Sequence, residues 1–351
     1  MDLLAVSSAS SRRRIERARS WLESRERDEE LVVIGATVGA ANELARQVAS
    51  RNGAAFGWHR ISLPQLVSIV AAPELNRRGV VSLTRIGTDA VTTRLIHRLR
   101  VDGKLGRYSS VSETPGFPGA IANVIVELRS AGVRSNEIEA VVPDFAPIVR
   151  EYERELAEGG FIDWPGTLEL AASAIVRSDR HRLVGLPVLM FDVQVRTEAE
   201  FGFVSAFVSA AQETLATLPA GDSETLHRFR DRLRFEISDL DSAAGDPNDA
   251  LERLQRHLFN EHETPTEIEA GNEIEIFSAP GEGRECVEIE RNLFRADRSS
   301  RSGAQRWRSN RPGYLPVCGH HNVSIPSKES SRTGADFLHQ ARVVFRFAAA
   351  A

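Results

Sequence analysis

The stretch with the clearest chemical pattern runs Glu30-Leu-Val-Val-Ile-Gly35-Ala-Thr37-Val-Gly39-Ala40-Ala41-Asn42-Glu-Leu44-Ala-Arg-Gln-Val48. Leu31 to Ile34 reads as a buried strand, and Leu44 and Val48 lie four apart on one helical face. Strand, glycine turn and helix is the frame on which backbone N–H groups and a helix N-terminus hold phosphate. The P-loop pattern G-x-x-x-x-G-K-[ST] adds a lysine for the β/γ-phosphates and a hydroxyl for Mg²⁺. Counted from Gly35, Ala40 falls at the second glycine, Ala41 at the lysine and Asn42 at the hydroxyl. A methyl group at Ala41 supplies no charge against a triphosphate, and phosphoryl transfer depends on that charge for positioning and neutralisation.

A second chemical position is Asp192, at the end of the apolar run Leu186-Pro-Val-Leu-Met-Phe-Asp-Val193. A carboxylate there could hold Mg²⁺, and the residue that follows it is Val193. Gly35, Thr37, Gly39, Ala40, Ala41 and Asp192 therefore form a degenerate nucleotide site. It is expected to be catalytically silent and to hold at most a vestigial ATP/Mg arrangement, with no other cofactor. The plainer account is an ordinary βα turn with Asp192 capping a strand end.

Other chemistries find less support. A metal-dependent nuclease needs paired acids with a lysine two residues on. Pro143-Asp144 has no such sequel, and Asp102-Gly-Lys104 lies in a polar turn. The chain holds only two lysines, Lys104 and Lys328. Cys318-Gly-His-His321 is a lone three-ligand group, whereas zinc sites pair their ligands. There is no G-x-S-x-G elbow. Catalytic residues and a metal site are thus not expected. For nucleic acid, Trp58 could stack on a base, and Arg60 and Arg284 could meet phosphates. The helix bearing Arg94, Arg98 and Arg100 is a further possibility, with a solvated face as its plainer reading.

The elements that would position these residues follow from periodicity. An amphipathic helix spans 9–28, followed by the 31–34 strand and the glycine-led helix. Trp58 starts a short strand running into a helix, with Ser62 as cap and Pro64 in the first turn. Further helices cover 87–100, the stretch ending at Gly132, 145–156 and 165–177. Strands are expected at 186–193 and 213–222, charged helices over 223–259, a strand at 273–280 and a helix from Gly281. The fold class is α/β, with a mainly parallel, P-loop NTPase-like sheet and helical insertions. Four regions are expected: a degenerate P-loop domain over 1–222, a helical connector over 223–268, the start of a second α/β lobe over 269–297, and an irregular basic tail over 298–351.

Length and composition bound the rest. At 351 residues there is room for two cores. The net charge is −5, with +6 from Ser299 onward and −11 before it, so a protein that coats DNA along its whole surface is not expected. No run of 18 apolar residues and no signal-peptide pattern occurs, and two cysteines fit a reducing cytoplasm.

Several stretches together resemble AddB-like subunits of bacterial helicase–nucleases, relatives of UvrD-type superfamily 1 helicases that end in a PD-(D/E)xK nuclease. They are Val33-Ile-Gly-Ala-Thr-Val-Gly-Ala-Ala-Asn-Glu-Leu-Ala-Arg46, Pro115-Gly-Phe-Pro-Gly-Ala120 with Glu127-Leu-Arg-Ser-Ala-Gly132, Gly160-Phe-Ile-Asp163, Leu189-Met-Phe-Asp-Val193, Ala216-Thr-Leu-Pro-Ala-Gly-Asp222, and Phe277-Ser-Ala-Pro-Gly-Glu-Gly-Arg-Glu-Cys-Val-Glu-Ile-Glu-Arg291. The resemblance implies a non-catalytic helicase-like domain in DNA recombination and repair, which holds DNA beside a superfamily 1 helicase partner. It also implies a chain that stops short of the nuclease, and the Ser/Arg/Gly-rich text past about residue 297 is what a reading-frame slip in an arginine-rich gene would give. Two other classes stay open: a Rossmann-like enzyme, for which the turn lacks G-x-G-x-x-G spacing, and a purely structural partner subunit.

Overall fold

The computed structural model describes residues 2–53, 56–177, 181–242, 250–257, 276–277, 281–300 and 344–345. Two compact units are distinguished, Met1–Gly245 and Asp246–Ala351.

The first unit is α/β, built on a six-stranded parallel sheet. In chain order it comprises β1 (Asp2–Ser8), α1 (Ser11–Glu23), β2 (Leu31–Gly35), α2 (Val38–Asn52), β3 (Trp58–Ser62), α3 (Leu63–Arg78), β4 (Val81–Ser82), α4 (Arg85–Val101), α5 (Phe117–Ser130), α6 (Ser135–Val141) and α7 (Ala146–Gly159). It continues through β5 (Phe161–Ile162), α8 (Trp164–Val176), β6 (Val188–Phe191), α9 (Glu198–Ala210), β7 (Glu213–Pro219), α10 (Ser223–His227), a π-helical turn (Arg228–Arg232) and β8 (Glu236–Asp239). The strand order is β3-β2-β6-β7-β1-β8, and every pairing is parallel.

Central strands of such a sheet are covered on both faces, which explains the unbroken apolar runs at β2 and β6. Alternate residues go to opposite layers. Leu31, Val33, Leu189 and Phe191 pack with Trp21 and Leu22 of α1 and Leu44 and Val48 of α2. Val32, Ile34, Val188 and Met190 pack with α3, α8 and α9 through Leu66, Val70, Leu168, Phe203 and Phe207. A separate helical layer, α4 to α7, has its own core around Leu95, Leu99, Ile125, Ile148 and Tyr152. It joins the sheet domain through the β4–β5 pair and through Arg129, which reaches Asp163 at 2.7 Å. Ser62 is the N-cap position of α3, its N–H donating to Gln65 Oε1 at 3.2 Å, and Pro64 lies in the first turn.

Two expectations need correction. The fold begins with strand β1, ahead of the helix expected over 9–28. Its apolar run is only Leu3 to Val6, and the buried residues that follow are Ser7 and Ser8, the latter donating its hydroxyl to Asp241. The first domain also does not end at 222. The region read as the connector's start supplies α10, the π turn and β8, which pairs with β1. The helical spacing of Phe229 and Leu233 was legible, and both enter the main core. Strand β8 carries one apolar residue, Ile237, and as an edge strand shows no hydrophobic alternation.

In the second unit the described elements are α11 (Ala250–His257), β9 (Ile276–Phe277), α12 (Glu282–Ser300) and β10 (Val344–Phe345). Strand β9 pairs antiparallel with β10, so the expected strand at 273–280 meets a residue pair from the expected irregular tail. Residues 298–300 of that tail end α12, and 301–343 and 346–351, including Cys318-Gly-His-His321, lie outside the described residues.

Candidate functional site

In an open parallel sheet, ligands sit beyond the carboxyl ends of strands where successive connections diverge. Here β2 leads through α2 to β3 on one side, while β6 leads through α9 to β7 on the other. The Gly35 turn and Asp192 therefore meet at a topological switch point, with Ala36 N–H donating to Phe191 O at 3.0 Å.

The turn after β2 is short and leads directly into a capped helix. Helix α2 starts at Val38, so Gly39, Ala40 and Ala41 already lie in its first turn. Thr37 is the N-cap: its hydroxyl accepts from Ala40 N–H at 3.1 Å, and its carbonyl accepts from Ala41 N–H at 3.2 Å. The Ala40 and Ala41 N–H groups are thus satisfied internally. The Ala41 side chain, at the lysine position, is fully buried in the core. Gly35 is required by packing: a Cβ there would lie 2.6 Å from Thr37 O and 2.9 Å from Ala41 N, both backbone atoms. Gly35→Ala is expected to destabilise the unit by about 1–3 kcal/mol through overpacking, read as a lower denaturant midpoint with an unchanged slope. The plainer sequence reading, a capped βα turn, is what these residues form.

Asp192 faces a different part of the chain. It adopts φ +52°, in the left-handed region that Asp and Asn tolerate better than most residues. Its carboxylate is bound by Arg14 of α1, with Nε 3.0 Å from Oδ1 and Nη2 3.1 Å from Oδ2. Thr217 of β7 donates its hydroxyl to Oδ1 at 2.8 Å. The other arm of Arg14 donates Nη1 to the carbonyls of Ser8 at 2.6 Å and Ala9 at 3.3 Å. Only 8% of the Arg14 side chain is exposed and 20% of Asp192. This is a fork-shaped, charge-assisted pair of the strong kind. Beside it Asp241, just past β8, accepts from the Ser8 hydroxyl at 2.5 Å, Ala9 N–H at 2.7 Å and Arg13 at 3.0 Å. Sequence reasoning named Asp192 but missed Arg14, Thr217 and Asp241. The available signal was the Ser-rich turn into Arg12-Arg13-Arg14 directly after a short apolar strand.

A cleft of about 410 Å³ opens at the β3 edge, lined by Val38, Asn42, Trp58, His59, Arg60, Ile69, His181 and Arg182 among others. It unites two of the three expected nucleic-acid residues, Trp58 and Arg60. Arg60 and Arg182 are exposed, and among the described residues neither has an ion-pair partner. His59 Nε2 lies 2.6 Å from Glu30 Oε1. Burial first, then Arg182 and His59, hold the His181 imidazole below the usual histidine range. Trp58 is half-buried and packs on the α1–α2 core, so only part of its ring is available to a ligand. Arg284 lies on α12 in the second unit and pairs with Glu288 at 3.2 Å.

Arginines on α4 take the plainer role. Arg94 and Arg98 both pair with the buried Glu155 of α7, and Arg100 lies 2.5 Å from Glu113. Among the described residues no group of His, Cys, Asp and Glu is placed to hold a metal, and no helix is long and apolar enough to cross a membrane. No protein-family model and no curated protein matches the chain.

Proposed function

We propose that this chain is a nucleotide-inert, helicase-like α/β domain that engages a nucleic-acid strand, of the kind found in recombination and repair helicase–nucleases. On this reading its P-loop-like, RecA-like character is architectural, and it acts beside an active superfamily 1 helicase subunit. The observation that carries the reading is the Arg14–Asp192 pair. A carboxylate already chelated by a buried guanidinium is unavailable to Mg²⁺, and no lysine replaces the missing charge at the Gly35 turn. The cleft at the β3 edge supports the nucleic-acid half. It places an aromatic ring among Arg60, Arg182 and two histidines, a combination suited to phosphate contact with base stacking.

The test has two arms. No ATP hydrolysis is expected with Mg²⁺ and single-stranded DNA present; turnover lost in Asp192→Ala would refute inertness. A labelled single-stranded oligonucleotide is expected to bind with salt-dependent affinity. Arg60→Ala should weaken that binding and lower the salt slope by about one. No binding at low salt, or an unchanged slope in the variant, would favour the purely structural subunit instead.

The same cleft gives a pH prediction. Because folding lowers the His181 value, protonation costs stability as pH falls through and below the ordinary histidine range. A bound polyanion favours the imidazolium, so oligonucleotide affinity should rise from pH 7.5 to pH 6. His181→Gln should flatten part of that rise in an anisotropy titration, while Glu30 continues to hold His59.

A further inference from the structure

We infer that the open edge of β3 hydrogen-bonds unpaired bases through the main-chain groups of Trp58 and Arg60, so that the nucleic acid it accepts must be single-stranded. The inference rests on the nucleic-acid half of the proposed function and deepens it. Hydrogen bonds of β2 fix which way the main chain of β3 faces. Leu31 N–H donates to Gly57 O at 3.2 Å, whereas Val32 N–H donates to Pro187 O at 2.9 Å. Leu31, Val33 and Gly35 therefore serve β3, while Val32 and Ile34 serve β6. Leu31 stands opposite Trp58 in the parallel register. The main-chain groups of Gly57, His59 and Ile61 accordingly turn to β2, and those of Trp58 and Arg60 turn away. Strand β3 ends the sheet, and among the described residues nothing takes up the N–H or C=O of either.

The cleft already described runs along this edge. Its walls come from Val38 and Asn42 of α2 on one face of the sheet and Ile69 of α3 on the other. Each outward residue shows a donor and an acceptor side by side, the pairing by which an Asn or Gln amide reads adenine. Phosphate takes donors only, so it falls to the Arg60 and Arg182 guanidiniums in the same cleft. Trp58 and Arg60 stand about 6.6 Å apart along the strand, roughly twice the rise per base in a duplex, which suits bases splayed out of a stack. In a duplex the base edges are already paired, and that is the source of the selectivity. An open strand edge also accepts an added peptide strand, here an acidic one, but the Trp58 ring in the cleft wall favours bases.

The experiment is an anisotropy titration of the full chain with a single-stranded oligonucleotide, an abasic strand carrying the same number of phosphates, and the duplex. Wild type is expected to prefer the base-bearing single strand to both. Arg60→Ala and Arg60→Pro remove the same charge, and only proline also removes the edge N–H, so their salt slopes should match. Arg60→Pro should bind the base-bearing strand roughly fivefold more weakly than Arg60→Ala, and the abasic strand equally. Proline is compatible with an edge strand where its nitrogen lies outside the ladder. If Arg60→Pro does not fold, amide hydrogen exchange in wild type gives the readout. The Trp58 and Arg60 amides should slow with the base-bearing strand and not with the abasic one, while His59, inside the ladder, stays unchanged. Equal binding of the base-bearing strand by the two variants, equal affinity of wild type for duplex, or protection by the abasic strand would overturn the inference and leave strand binding intact. Poly-glutamate binding with no oligonucleotide binding would overturn both and assign the edge to an added peptide strand. Absence of all oligonucleotide binding would remove the nucleic-acid reading and this inference with it.

Discussion

Asp192→Ala is expected to destabilise the first unit by about 3–5 kcal/mol, because it leaves the Arg14 guanidinium buried without its counter-charge. Two further losses add to this. Thr217 Oγ1 loses its acceptor, and alanine is poorly suited to φ +52°. For a unit of this size the melting temperature should fall by roughly 10 °C or more. Asp192→Asn keeps the backbone preference and one acceptor oxygen, so it should fall between wild type and alanine. The informative companion is Arg14→Met/Asp192→Asn. Removing both charges together leaves no uncompensated ion, and stability should recover most of the way. A double variant no more stable than Asp192→Ala would show that the ion pair is not the source of the effect. The order of these variants in a denaturant series separates charge from backbone conformation.

Asp163→Ala is the second large effect, expected at about 3–5 kcal/mol for related reasons in a different layer. Asp163 is fully buried and caps α8, accepting from Gly166 N–H at 3.0 Å. The same carboxylate takes Arg129 at 2.7 Å and lies 3.4 Å from the Tyr152 hydroxyl. Burial, reinforced by that carboxylate, pushes the Tyr152 phenol well above its ordinary value. Loss of the cap alone costs about 1 kcal/mol. The larger share comes from Arg129, which among the described residues keeps Glu153 alone as an ion-pair partner, at 3.1 Å. Since Arg129 lies on α5 and Tyr152 on α7, the damage should concentrate where the helical layer meets the sheet domain. Hydrogen exchange in Asp163→Ala is expected to rise first in α5, α7 and the start of α8. Uniform acceleration across the sheet would contradict this.

The strongest local signals translated directly into structure. Leu31 to Ile34 and Val188 to Phe191 are central strands because a parallel sheet covered on both faces leaves no polar alternation to confuse the reading. Ser62 with Pro64, and the apolar spacing of α4, α5, α7 and α8, placed their helices within a few residues. The β1–β8 end of the sheet is harder to read. Strand β8 has one apolar residue and strand β1 buries two serines, so neither shows a periodic pattern, although both belong to the same sheet. For the cleft, Trp58 and Arg60 are adjacent on one strand and could be named together. His181 and Arg182 join them only because β6 pairs beside β2, and β2 beside β3.

By itself the sequence determined the α/β class, the absence of a lysine at the Gly35 turn and the carboxylate at the end of β6, because each is a matter of local pattern or residue identity. Tertiary structure alone decided what that carboxylate does. Arg14 and Asp192 are 178 positions apart, as Ser8 and Asp241 are 233 apart, and no periodicity links them. They meet because strand order brings the ends of β6, β7, β1 and β8 side by side. There Arg14, largely buried, meets the Asp192 carboxylate as its counter-charge.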